Sequence, residues 1–333
     1  MLVAVVYNGS ALMPCCPARA RRLIASRKAT PFIHKGVFCI RLNQAPSDDK
    51  IQKVVIGVDP GSMKEGITVL TEKTTALNIQ LDAVTWIKDA LEARRNARRS
   101  RRQRTTPCRK NKYDNYKHDT WLPPSTKARW QSKLNMIKSL NTVFPISIAV
   151  VEDIKAKSKT GKRGWNKSFT PIEVGKKWFY SELESTGLTV VLMQGYETAG
   201  LRKKLNLNKS TSKLSDTWDA HCVDSWVLAS SQMTILPSID KKMLYIKPMQ
   251  FHRRQLHAFQ PAKGGVRRAY GSTRSLGFRR GSIVSHKKYG ICTVGGTSKN
   301  KMSLHSLQNG KRLCQNASVS DVTFKSFNNY FIR

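Results

Sequence analysis

The chain has 333 residues, with 59 lysines and arginines against 21 aspartates and glutamates, a formal net charge of +38. A compact state with that cationic excess repels itself unless a polyanion neutralises it, which points to nucleic acid as partner. No apolar run approaches a membrane span and no basic stretch joins a continuous apolar helix face, so no membrane partner is expected. The opening LVAVV is too short for the core of a signal peptide and no cleavage-like site follows it, so a cytosolic protein is expected. The seven cysteines include no C-x-x-C pair, which argues against zinc, and their odd number argues against a disulfide framework.

Residues 1–50 read as a small unit. It holds a strand at VAVVY, a helix at PARARRLIASRKA with Pro17 in its first turn and Leu23 and Ile24 inward, and a strand at VFCIRL. In residues 51–90, VVIGVDPGSMKEGITVLTE reads as strand, glycine-containing turn and strand, with Asp59 at the open end of the hairpin. Residues 91–135 carry an arginine-rich helix and its linker. On that helix Arg94, Arg95, Arg98, Arg99, Arg101 and Arg102 fall within an arc of roughly 160°. A solvated face would be the bland interpretation, but few acids balance these cations and they repel one another at helical spacing, so phosphate binding is expected.

Residues 136–240 continue with the end of a helix begun at STKARWQ, a strand ISIAVVE ending at Glu152, and a basic irregular stretch. Trp165 in that stretch is a candidate for base stacking. A helix at IEVGKKWFYSELEST, a strand at TVVLMQ and a helix at TWDAHCVDSWVLASS follow. On the last, His221 and Asp224 are spaced to share one face. Trp178 and Trp218 sit in apolar helical patterns and read as core. Residues 241–333 are basic, glycine-rich and strand-like, with an Asn309-Gly310 hairpin signal, and suggest a small β-barrel or curled sheet. Arg267, Arg268, Arg274, Arg279 and Arg280 are candidate contacts to RNA phosphates or a duplex edge.

Asp59, Glu152 and Asp224 stand out because carboxylates are scarce and two of the three close β-branched apolar runs. Oxygen donors converging from separate elements suit hard Mg²⁺, and a pair of such ions clamps the attacking and leaving oxygens of a displacement at phosphorus. Neighbours on a strand face opposite sides, so Glu152 competes with Asp153 and is favoured. Asp224 competes with Asp216 and Asp219. The element order suggests an α/β domain of ribonuclease H type interrupted by inserted segments, and a metal-dependent nuclease.

Several local patterns agree with one family. ALMPCCPARARRLIASRKA resembles the short amino-terminal domain named for its PLMP motif, with Ala11 in place of the leading proline, and GVDPGS resembles the first RuvC motif. The arginine-rich helix resembles a bridge helix, and VVEDIKAKSKTGKRGWN and DAHCVDSW resemble the second and third RuvC motifs. RRQLHAFQPAKGGVRRAYGSTRSLGFRRGS resembles a carboxy-terminal region that reads a target-adjacent motif. In this order they resemble the IsrB family, the HNH-less relatives of the transposon-encoded IscB nucleases. No H-x-H-like cluster or paired cysteine set lies between Glu152 and Asp224.

The resemblance implies a RuvC domain interrupted by a bridge helix, between a PLMP domain and a β-rich module. It implies an RNA-guided DNA endonuclease that nicks the non-target strand. Asp59, Glu152 and Asp224 would hold two Mg²⁺ ions, with Mn²⁺ a possible substitute and no zinc, and His221 would assist the attacking water or a proton transfer. The implied partners are a structured omega RNA, one protein to each, and a duplex with a short adjacent motif. The competing readings are a guide-independent ribonuclease H-like or junction-resolving nuclease and a non-catalytic nucleic-acid-binding protein.

Overall fold

The computed structural model describes residues 1–48, 50–103, 122–153, 171–212, 215–248, 274–279, 281–298, 300–327 and 330–332. Trp165, Arg267, Arg268 and Arg280 lie outside the described residues, as do the side chains of Arg101 and Arg102.

The first unit comprises β1 (Val3–Tyr7), β2 (Ser10–Cys15), α1 (Pro17–Ala25), β3 (Ala29–His34) and β4 (Val37–Leu42), in sheet order β2-β1-β4-β3. Alternation along β1 divides it between two cores. Val3 and Val5 pack with Ala20, Ile40 and the α1 residues Leu23 and Ile24, while Ala4 and Val6 join the core of the large sheet. The sequence pattern missed β2 and β3. Each carries a proline, Pro14 or Pro31, and each is an edge strand, where a missing N–H can face away from the ladder.

The central elements are β5 (Val54–Asp59), β6 (Lys64–Thr71), β7 (Thr75–Asp82), α2 (Ile87–Gln103), α3 (Pro124–Asn141), β8 (Ile148–Asp153), α4 (Pro171–Glu184), β9 (Thr189–Gln194), α5 (Gly195–Lys204), α6 (Trp218–His221), α7 (Val223–Ser230) and β10 (Leu244–Pro248). After them come β11 (Arg274–Ser275), β12 (Phe278–Arg279), β13 (Ser282–His286), β14 (Gly290–Ser298), β15 (Lys301–Ser306), β16 (Arg312–Ala317), β17 (Val322–Phe327) and β18 (Tyr330–Ile332). Strands β13 to β17 form an antiparallel sheet around Val284, Cys292, Val294, Met302 and Leu304. Among the described residues of 241–333 the strands serve three sheets, because β10 and β18 pair into the central one and β11 and β12 pair with each other. The segment boundaries drawn at 90 and 135 fall inside α2 and α3.

The central sheet runs β18-β10-β7-β6-β5-β8-β9. Strands β5, β6 and β7 form an antiparallel meander, and β8 and β9 continue from β5 in parallel; Asp59, paired with Gly66, stands at the turn end of the β5–β6 hairpin and not at its open end. This is the ribonuclease H-type order, in a mixed α/β fold. On one face Val54, Ile56 and Val58 pack with Leu134 and Ile137 of α3 and Phe179 and Leu183 of α4. On the other, Val55 and Val150 meet Val223, Trp226 and Val227 of α7. Two glycines let the second layer sit close. A Cβ on Gly57 would stand 1.9 Å from the Ser225 carbonyl oxygen, and one on Gly66 would stand 1.8 Å from that of His221. Among the described residues no helix is long and apolar enough to cross a membrane.

Candidate active site

Strand parity selects the carboxylates. Val58 of β5 pairs with Val151 of β8, so the next residues, Asp59 and Glu152, come side by side at the carboxyl ends of two parallel strands. Both follow Val55 and Val150 onto the α7 face. Asp153 points the other way, towards α4, where Lys176 pairs with it at 2.7 Å, Tyr180 donates at 3.0 Å and Gln194 donates at 3.2 Å. Burial opposes its charge, but these three partners outweigh that and hold its carboxyl below the usual range. Glu152 lacks such a set. Burial first, then the charge and hydrogen bond of Asp59 and the charge of Asp224, push its carboxyl up to about 7. Asp59 is raised as well, by burial above all, with Lys209 opposing.

The third carboxylate arrives from α7. Asp224 lies in that helix's first turn, 3% exposed, where the helix dipole favours a negative charge. Arg202, in the last turn of α5, pairs with its Oδ1, and Lys209 pairs with its Oδ2. The Lys209 ammonium also lies 3.7 Å from Asp59 Oδ2. Burial works against the Lys209 charge, yet Asp59, Asp224 and Glu152 outweigh it and raise its pKa. Among the described residues no group of three or more His, Cys, Asp or Glu side chains is arranged to hold a metal ion, and Asp224 has both oxygens engaged by cations. The competing acids are bound elsewhere: Asp216 pairs with Lys64 and accepts from Gln80, and Asp219 pairs with Lys241 at 3.1 Å.

His221 and Asp224 do not share one continuous helix. His221 ends α6, Cys222 separates it from α7, and the backbone of His221 rests on Gly66, the cross-strand partner of Asp59. Its Nε2 donates to the Ser215 carbonyl at 3.0 Å. Burial, reinforced by Lys64, lowers its pKa and favours the neutral ring.

The Asp59-Pro60-Gly61 turn has a buried support from α3. Lys133 pairs with Glu65 of β6, both almost fully buried, and donates to the Gly61 carbonyl at 3.2 Å. A buried pair of this kind contributes little net stability when intact but is costly to break, because the survivor is left as an isolated charge. Lys133, Glu65, Arg202 and Lys209 were absent from the sequence candidates. Each is an ordinary-looking charge, and only the fold gives it a partner.

Among the described residues, helix α2 differs from the other long helices. Val84 and Ile87 anchor its start, and from Lys88 to Ser100 every side chain is exposed, Arg94, Arg95, Arg98 and Arg99 among them. Leu91, Arg95, Arg98 and Arg99 line a shallow groove. In the carboxy-terminal region Arg274 and Arg279 oppose each other across the β11–β12 ladder, and Arg279 lies over the Phe327 ring, 5.5 Å from its centroid. Trp218 is buried and Trp178 packs against the main core, so both serve the fold.

Solved structures similar to the chain include RuvC from T. thermophilus in complex with a Holliday junction substrate, at 12% identity and a TM-score of 0.29, over 54% of this chain and 90% of that one. A CRISPR-Cas12f ternary complex matches at 12% identity and a TM-score of 0.33, over 66% of this chain and 49% of that one, so the match spans about half of the Cas12f chain. The yeast mitochondrial Holliday junction resolvase Ydc2 matches at 11% identity and a TM-score of 0.28, over 55% of this chain and 78% of that one. The ribonuclease H-type order of the central sheet rests on its own ladders, independently of these similarities. No curated protein sequence matches the chain. The family model described as RRXRR protein matches residues 3–164, a stretch that includes Asp59, Glu152 and the α2 run Arg98-Arg99-Ser100-Arg101-Arg102, which spells that pattern.

Proposed function

We propose that the chain is a RuvC-type DNA endonuclease which, with a bound structured RNA as guide, nicks the displaced non-target strand of a matching duplex that carries a short adjacent motif. One observation carries this reading. Two parallel strand ends and the first turn of α7 bring Asp59, Glu152 and Asp224 onto one face, in a setting buried enough to raise Glu152 to about 7.

Asp59, Glu152 and Asp224 offer the oxygen donors that suit a hard divalent cation, and Arg202 and Lys209 already answer the charge of this cluster. Asp59, Glu152 and Asp224 would hold Mg²⁺, or Mn²⁺ in its place, and the bound ions would supply charge neutralisation at phosphorus and an acidified water. Neutral His221, its Nε2 proton committed to Ser215, presents Nδ1 as a base that orients or accepts a proton.

The exposed arginines of α2 are suited to RNA phosphates, since beyond its anchored start the helix has no core to join. Replacing Arg94, Arg95, Arg98 and Arg99 together by glutamine should weaken RNA binding and reduce the slope of log K against log salt by about one unit for each lost contact. Filter binding across a salt series checks this, and an unchanged slope would return α2 to a merely solvated helix.

The function is tested by strand. Given its co-purified RNA, Mg²⁺ and a matched duplex labelled separately on each strand, the protein should cut the displaced strand and leave the RNA-paired strand whole. A single carboxylate centre acts on the strand threaded past it. Cleavage of both strands at matched rates would overturn the nickase assignment, and cleavage that persists without RNA would favour a guide-independent nuclease.

A further inference from the structure

We infer that Lys209 is a built-in counter-ion of the carboxylate cluster, whose ammonium bridges Asp59 and Asp224 in the metal-free chain and is displaced when a divalent cation binds. The inference deepens the nuclease reading and rests on it.

The placement of the ammonium is specific. It pairs with Asp224 Oδ2 and lies 3.7 Å from Asp59 Oδ2, so it sits between two of the oxygens that an ion shared by these residues would need. Without cations, three neighbouring carboxyl groups in a buried setting would repel one another. An ammonium and a divalent ion cannot both sit between the same carboxylates without strong mutual repulsion, so the two exclude each other.

The second cation behaves differently. Arg202 belongs to a regular helix and holds Asp224 by its other oxygen, Oδ1, leaving the Asp59 side open. Its planar fork is fixed in direction, whereas the lysine is a point charge on a flexible stem. Lys209 comes from a stretch with neither helix nor strand, tethered on both sides. Leu207 packs into the α7 core, and the Ser210 N–H donates to the Asp219 carbonyl at 2.9 Å. With the backbone so held and the side chain 36% exposed, the ammonium can swing to solvent by rotamer changes alone. A bound metal must first remove it, so the apparent metal affinity is lowered by the fraction of molecules with Lys209 in place. The exchange would also free a cation beside the cluster when nucleic acid phosphate arrives.

The test is a titration with Mn²⁺ alone, following free Mn²⁺ by electron paramagnetic resonance, on the full chain with its bound RNA. Each protein is compared with its own Asp59→Asn counterpart, so that ions held by RNA cancel. Lys209→Met should tighten Asp59-dependent Mn²⁺ binding on the order of tenfold and lower the melting temperature in chelator, whereas Lys209→Arg should keep the metal-free melting temperature. If Lys209→Met proves insoluble, Lys209→Gln gives the same comparison. Equal Mn²⁺ affinity in wild type and the neutral variant would overturn the counter-ion role while leaving the nuclease reading standing. Absence of Asp59-dependent Mn²⁺ binding in every protein would instead overturn the nuclease reading, and the inference with it.

Discussion

Replacing Asp59 by alanine is expected to reduce strand cleavage on the order of a thousandfold or more, the equivalent of several kcal/mol of charge stabilisation at the reacting phosphorus. RNA and target binding should change little, because the exposed arginines of α2 belong to a different element. The variant should also alter the stability of the metal-free protein. Burial, Asp59 and Asp224 raise Glu152 from an ordinary 4.5 to about 7. A carboxyl raised by folding favours the folded state while protonated, and that contribution is fully present below about 4.5 and lost as pH climbs through about 7. Across that window melting in chelator should therefore lose more with rising pH in the wild type than in Asp59→Ala, which removes one cause of the shift. Cleavage at the wild-type rate would take Asp59 out of the site. Superimposable stability profiles would mean that Asp59 and Glu152 do not sense each other.

The carboxylate ends of β5 and β8 were legible because β-branched runs closed by an acid leave few choices. Alternation then separates Glu152 from Asp153: the first shares the α7 face with Asp59 and the second is satisfied by Lys176, Tyr180 and Gln194. Strand β7 went unseen because buried Asn78 and Gln80 interrupt its apolar pattern. Both donate to distant chain, Asn78 to the carbonyls of Asp240 and Lys242 and Gln80 to the Asp216 carboxylate. Helix α5 was hidden by Gly195 and Gly200, although Gln194 and Glu197 form a capping box at its start. Lys209 carries no local signal at all. A lysine in a polar stretch becomes part of the site only after α5 and α7 have packed.

The layer that delivers Asp224 depends on a missing methyl group. Gly57 lies in the middle of β5, two residues before Asp59, and α7 packs directly over it. An alanine there would place Cβ 1.9 Å from the Ser225 carbonyl oxygen and 2.8 Å from the Ala229 nitrogen, both backbone atoms of α7. No side-chain rotation relieves such a contact, so the helix must move off the sheet. Ser225 would then leave its place 2.8 Å from Thr68, and Trp226 its hydrogen bond to Thr75 at 3.0 Å. Overpacking of this kind costs about 1–3 kcal/mol and more where backbone must shift, so Gly57→Ala should lie at or above the top of that range. The displacement also carries Asp224 away from Asp59, so cleavage should fall further than the loss of folded protein accounts for. Gly200→Ala is the control: it has open space at Cβ and should gain up to about 1 kcal/mol of helix propensity in α5. Thermal melting of both variants, with cleavage measured at a temperature where each is folded, separates the two effects. A Gly57→Ala protein with wild-type melting and cleavage would show that α7 does not rest on β5 and that the third carboxylate is delivered by some other contact.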